Sequence, residues 1–343
     1  MNTKKLLLFT LTLILIFISI EVSLRVIYFQ KNSLSFLAIE KFYPHIKRNL
    51  KQRLVDKNFK IDTKGLWQAL YTKDNQLISS LKEIYELHFK EMVSLCKSKN
   101  IKLFVLYIPL TQPDSNRHMS EEICKTFFKN ISLSYDISFL DVTETLRQHP
   151  FHHVTLMPED QHLSRFGNIL VSEIVASYIL KQFDLNSFSK SKYSDEPITL
   201  GGYKVFSGKT YNKMNQKVTI NKHGFRAIKD VQIPKNKFRI ACVGDSFTFG
   251  AGVANTQTYP HFLNLNLKHT EVLNLGKNGT SIITQLIILK KAIQCDPDLV
   301  ILQVLDNDLY GLMTHVQEDY SFVKPTKRPK VETEFLKRLG KLN

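Results

Sequence analysis

The apolar residues of this chain fall into short continuous runs and stripes spaced by three and four, and the two patterns alternate along most of its length. Residues 75–97 place Leu77, Leu81, Ile84, Tyr85, His88, Met92 and Leu95 on one face of a helix, with Asp74 positioned to cap it. Residues 101–108 follow as a nearly unbroken apolar run closed by Pro109, the pattern of a strand covered on both faces in a parallel sheet. Ser120 can then cap a helix running to about Leu133, residues 137–142 read as a short strand, and residues 166–180 read as an amphipathic helix. Residues 186–237 change character, rich in Ser, Lys, Asn, Gly and Tyr with little helical period, and read as a connector able to hold a hairpin. From residue 238 the alternation resumes, with strands at 238–243, 271–275 and 299–304 and helices near 259–267 and 281–293. Short buried strands alternating with helices predict an α/β fold with a doubly wound parallel sheet, whose ligands bind at the carboxyl ends of the strands.

The first thirty residues follow a different rule. Lys4 and Lys5 precede fifteen uncharged residues, 6–20, dominated by Leu, Ile and Phe. That run is shorter than the roughly 20 residues that span a bilayer and fits the apolar region of a signal peptide. No small-x-small cleavage site follows, and residues 26–29 resume the apolar pattern with Glu21 and Arg25 near the interface. An uncleaved anchor over 1–30 is therefore preferred to a cleaved signal, with a buried core helix as the remaining alternative. The cationic start places the rest of the chain on the extracytoplasmic side, single-pass, facing the periplasm or the cell surface.

Charge alters this picture less than its size suggests. The 343 residues carry 47 Lys and Arg against 31 Asp and Glu, a net charge of +16, with much of the excess over 190–240 and the last twenty residues. No nucleic-acid reading element or aromatic platform accompanies it, so nucleic acid is not the expected partner. An anionic lipid surface or an acidic polysaccharide suits an exported domain better, and solvated lysines with no partner suit it equally well. Cys96, Cys124, Cys242 and Cys295 are widely spaced without a CxxC, which indicates neither a zinc site nor a disulfide framework. Cys242 falls inside a buried strand. His152 and His153 are adjacent, project differently and lack a third ligand, so they read as loop surface. No metal or cofactor is expected.

The candidate chemistry lies at the predicted strand ends. The strand 238–243 runs into Gly244-Asp245-Ser246, with Gly244 allowing a tight turn and the Ser246 hydroxyl close to a helix start. The next strand ends in Asn274-Leu275-Gly276-Lys277-Asn278-Gly279, and the third in Leu305-Asp306-Asn307-Asp308. With Gly224-Phe225-Arg226 upstream, Thr258-Tyr259-Pro260 after the serine and Pro297-Asp298 before the third strand, the chain resembles the SGNH, or GDSL, family of serine esterases and acyltransferases. It is similar to the membrane-anchored bacterial members in particular. The resemblance implies that Ser246 is the nucleophile, and that the backbone N–H groups of Ser246 and Gly279 with the Asn307 side chain form an oxyanion hole. Each donor of this kind is worth about 10²- to 10³-fold in rate. One departure is Leu305, where the family often has glycine.

The family supplies its base as histidine in an Asp-x-x-His or Asp-x-His block before a C-terminal helix. Nothing downstream of Asn307 fits, since the one histidine there, His315, has no suitable acidic neighbour. The block lies upstream, as Pro158-Glu159-Asp160-Gln161-His162-Leu163, after the strand 137–142 and before the helix 166–180. Asp160 is the preferred partner of His162, and Glu159, at three-residue spacing, is the second candidate.

The halves of the resemblance are thus exchanged, with the His block in 31–185 and the serine in 238–343, joined by the connector 186–237. A circular permutation would join both halves in one five-stranded, flavodoxin-like sheet of order 2-1-3-4-5, counted from the serine strand. Two incomplete tandem domains would instead leave sheet edges exposed. The first arrangement, which needs no duplicated motif, implies an ester hydrolase or O-acyltransferase whose substrate is an acyl ester, on an envelope polysaccharide or a lipid. The alternative is an inactive SGNH-fold envelope protein kept for binding or assembly.

Overall fold

The apolar runs 102–107, 238–243 and 299–304 become strands buried on both faces, where β-branched and aliphatic side chains pack on alternating sides of the pleat. The computed structural model describes residues 75–109, 115–157, 160–186, 210–213, 216–309 and 311–312, all within the unit Trp67–Asn343. Before the connector come α1 (Asn75–Ser98), β1 (Lys102–Tyr107), α2 (Ser115–Ser134), β2 (Ser138–Asp141), the short α3 (Thr143–Arg147) and α4 (Phe151–Val154), and α5 (Arg165–Gln182). The connector holds an antiparallel hairpin, β3 (Thr210–Lys213) and β4 (Gln216–Thr219). After it come β5 (Phe238–Val243), α6 (Ser246–Phe249), α7 (Tyr259–Asn266), β6 (Thr270–Asn274), α8 (Ile282–Ala292) and β7 (Leu299–Val304).

One five-stranded sheet, ordered β2-β1-β7-β5-β6, contains strands from both sides of the connector. The central strand β7 pairs in parallel with β1, from Lys102 opposite Leu299 to Tyr107 opposite Val304. On its other side it pairs with β5, from Ile240 opposite Leu299 to Val243 opposite Leu302. Numbered along the chain this order differs from 2-1-3-4-5; numbered from β5, the strand that leads to Ser246, it reads two, one, three, four, five. The helical layers are shared in the same way, since α5 packs on α7 and α1 on α8. Phe104, Leu106, Ile240, Cys242 and Ile301 join Val171, Val175, Ile179 and Leu263 in one continuous core.

Several elements differ in detail from the sequence pattern. The buried face of α1 is Ile78, Leu81, Ile84, Tyr85, Phe89, Met92, Val93 and Cys96, while His88 and Leu95 are only half-buried. The stripe is rotated because α1 packs on α8 as well as on β1. Helix α2 begins at Ser115, a full turn before Ser120. His152 and His153 lie in the helical turn α4 rather than in a loop, and both are exposed. Asp74, Glu159, His315 and the expected anchor over 1–30 lie outside the described residues. Among the described residues, no helix is long and apolar enough to cross a membrane.

At the amino ends of the strands, basic residues are used internally. Lys235 Nζ donates to Asp298 Oδ1 at 2.7 Å, and Arg239 Nε to Glu271 Oε2 at 2.8 Å. Arg239 is 1% exposed, so part of the positive charge ties β5 to its neighbours instead of facing a partner.

Candidate active site

All three strand ends singled out by the sequence converge at the carboxyl edge. Strand β5 leaves the sheet through Gly244 and Asp245 and enters α6, whose first residue is Ser246. Asp245 caps the turn, its Oδ1 accepting from the Phe247 N–H at 2.9 Å. A backbone N–H at the start of a helix has no partner within it, so that of Ser246 is free to face a ligand. Gly244 is not in the left-handed region. It is needed for space, because a Cβ there would collide with the side chains of Thr248 and Gln303. Gly276 plays the same part from the facing loop, where a Cβ would strike the backbone of Thr248 and Phe249.

The His block is a tight loop between α4 and α5. Leu156 N donates to His162 O at 2.9 Å and Ser164 N to Val154 O at 3.0 Å, pairing the two arms of the loop around a bridge between Thr155 and Leu163. Ser164 then caps α5, accepting from Gly167 N at 3.1 Å. Within the loop, Asp160 Oδ1 accepts from the His162 backbone N–H at 2.9 Å and is also hydrogen-bonded to the ring Nδ1. The other ring nitrogen, Nε2, lies 2.7 Å from Ser246 Oγ. The imidazole packs against Phe247, with ring centroids 5.0 Å apart.

This is the geometry of a hydroxyl, an imidazole and a carboxylate in series. Burial works to raise the Asp160 carboxyl, but the His162 hydrogen bonds and charge outweigh it and hold the group below the ordinary carboxylate range. Asp160 is therefore ionised beside the ring, where it can stabilise an imidazolium.

The oxyanion candidates flank this row. The loop after β6 is tied to the serine turn by Lys277 N donating to Gly244 O at 3.1 Å and by Thr280 Oγ1 at 3.3 Å from the same oxygen. Gly279 sits at its exposed tip with φ +66° and open space where a side chain would lie. Asn307, after β7, has its Nδ2 3.5 Å from Asp245 Oδ2. Leu305 is buried in the core cluster that also holds Phe247. Burial raises the Asp245 carboxyl, and the Phe247 N–H and the charge of His162 offset this only in part. Burial, with the charge of Asp245, pushes Asp308 well up.

Three further residues brace the site. Asn168, fully buried on α5, donates to Leu163 O at 3.2 Å and Ser164 O at 2.9 Å and accepts from Tyr259 N at 2.8 Å. It ties the His loop directly to the segment that follows the serine. Gln303 Oε1 accepts from Thr248 Oγ1 at 2.9 Å and Asp245 N at 3.3 Å, bracing the serine turn from β7. Arg226, in the connector, donates to the carbonyls of Phe249, Gly250 and Val253. Only the Gly-Phe-Arg triplet pointed to any of these. A separate concavity of about 340 Å³ opens at the opposite edge of the sheet, among Lys99, Lys102, Phe183, Phe238 and Pro297, and holds none of the site residues.

No protein-family model and no curated protein matches the chain. Among solved structures it is similar to the O-acetyltransferase domain of Pseudomonas putida AlgJ, at 13% identity and a TM-score of 0.41, over 74% of this chain and 88% of that one. It is also similar to Pseudomonas aeruginosa AlgX, at 15% identity and a TM-score of 0.39, over 64% of this chain and 56% of that one. At this level neither likeness assigns an activity or a substrate to this chain.

Proposed function

We propose that this chain is an SGNH-type serine enzyme of acyl esters, a hydrolase or an O-acyltransferase, with Ser246 as nucleophile, His162 as base and Asp160 as its carboxylate. The observation that carries the reading is the contact of His162 Nε2 with Ser246 Oγ at 2.7 Å between residues 84 apart in sequence. With Asp160 on Nδ1, the ring carries its proton there and accepts the Ser246 proton at Nε2. Ser246 Oγ attacks the ester carbonyl, and the N–H groups of Ser246 and Gly279 and the Asn307 amide receive the oxyanion. His162 then returns the proton to the departing alcohol as the acyl-enzyme forms. Water or an acceptor hydroxyl, deprotonated by the same ring, completes the cycle.

The exchanged motif order reads as a circular permutation in which the connector joins the old termini. The apolar run 6–20 behind Lys4 and Lys5 supports an anchor that leaves the enzyme extracytoplasmic. An acylated envelope glycan is the substrate class that suits this location, with lipid esters next. An active-site fluorophosphonate should label the full chain and not Ser246→Ala, and hydrolysis of a short acyl ester should be lost in His162→Ala. Equal labelling of the wild type and Ser246→Ala would refute the assignment.

A further inference from the structure

We propose that Asp245 is a positioning residue that fixes which end of the Asn307 amide faces the reacting carbonyl. The inference rests on reading Ser246 as the nucleophile and Asn307 as an oxyanion donor. Asp245 is 1% exposed, and a carboxylate is costly to bury. Capping α6 does not explain it, because Ser, Thr or Asn caps a helix start as well as Asp does.

The second carboxylate oxygen explains it. Oδ1 is used by the Phe247 N–H at 2.9 Å, and Oδ2 faces Asn307 Nδ2 at 3.5 Å. The two ends of an asparagine amide have nearly the same shape and opposite hydrogen-bonding character. Asp245 Oδ2 is the acceptor of this contact, so the nitrogen of Asn307 is the end that turns toward it. One N–H of that nitrogen serves Asp245, and the second is left for the oxyanion.

Asp245→Asn tests this with a change of one oxygen to nitrogen. The Phe247 N–H still needs an acceptor, so the new amide keeps its oxygen there and presents its NH2 to Asn307. That donor selects the carbonyl end of Asn307, and an acceptor oxygen then stands where the oxyanion needs a donor. If Asp245 is instead only an unfavourable negative charge beside a developing oxyanion, neutralising it raises the rate. The two accounts predict opposite signs.

The experiment measures kcat and KM on a short acyl ester for the wild type, Asp245→Asn, Asn307→Ala and the double variant, with thermal melting as the control for folding. Each single variant should lose about 10²- to 10³-fold in kcat with KM changed by less than about threefold. The double variant should be no slower than the worse single one. A kcat at or above wild type in Asp245→Asn, or losses that multiply in the double variant, overturns the proposal. The side-chain amide resonances of Asn307 in ¹⁵N-labelled protein give a readout independent of turnover, and they should move in Asp245→Asn; unchanged resonances overturn it as well. Ester turnover that persists in Ser246→Ala would instead refute the serine-enzyme reading, while the Asn307 resonances still report on Asp245.

Discussion

Asp160→Asn separates two jobs that a triad carboxylate usually performs together. Asp160 Oδ1 accepts from the backbone N–H of His162 at 2.9 Å and bonds the ring Nδ1 of the same residue. An asparagine at this position is held by the backbone N–H with its oxygen in place, so it still accepts from Nδ1–H and keeps Nε2 free to accept. What is lost is the negative charge opposite the imidazolium. Two unit charges about 4 Å apart at an effective dielectric of about 20 attract by about 4 kcal/mol, which is roughly 10³-fold in rate. Asp160→Ala loses the tautomer as well and should fall further, by about 10⁴-fold. Steady-state kcat on a short acyl ester measures both. A loss below tenfold in Asp160→Asn would refute Asp160 as the charge partner. A loss equal to that of Asp160→Ala would refute the pinning of the amide by the His162 N–H. Stability should follow the same group. Its carboxyl lies below its unfolded value, so its contribution is full above the ordinary carboxylate pKa and vanishes as pH falls through the lower folded value. The melting difference between wild type and Asp160→Asn should accordingly be flat near neutrality and shrink in acid.

Asn168→Ala orphans the buried Tyr259 N–H, which alone costs about 1–3 kcal/mol; a lowered urea midpoint with a reduced kcat is expected, since the same side chain holds the carbonyls of Leu163 and Ser164. Gly276→Ala drives a methyl group into the backbone of Thr248 and Phe249, so its melting temperature should drop by the equivalent of about 1–3 kcal/mol or more. An unchanged melt in either variant would contradict the packing described around the serine turn.

The elements read most easily were those whose signal is local. Strands β5 and β7 match the predicted 238–243 and 299–304 at both ends, because every residue in them is buried and the runs are bounded by polar segments. The face of α1 was read correctly at Leu81, Ile84, Tyr85 and Met92 but missed Phe89 and Cys96, because a stripe records that a helix has an inner side and not which neighbours share it. Asn168 and Gln303 were invisible for a related reason. A single buried amide has no periodicity, and its meaning lies in the partners that surround it.

The sequence by itself determined the alternation of strands and helices, the serine at a strand end and the Asp-x-His block, since each depends on residues within a few positions of one another. That His162 serves Ser246 was implied by the resemblance alone, and only on condition that the two halves close into one sheet. The tertiary structure decided this by placing β7 between β1 and β5, which brings the ends of β5 and the loop before α5 to one edge of one sheet. The physical reason is that β7 is buried on both faces and along both edges must find a hydrogen-bonded neighbour. One neighbour comes from each half of the chain, and their pairing with β7 closes the 84-residue gap between Ser246 and His162.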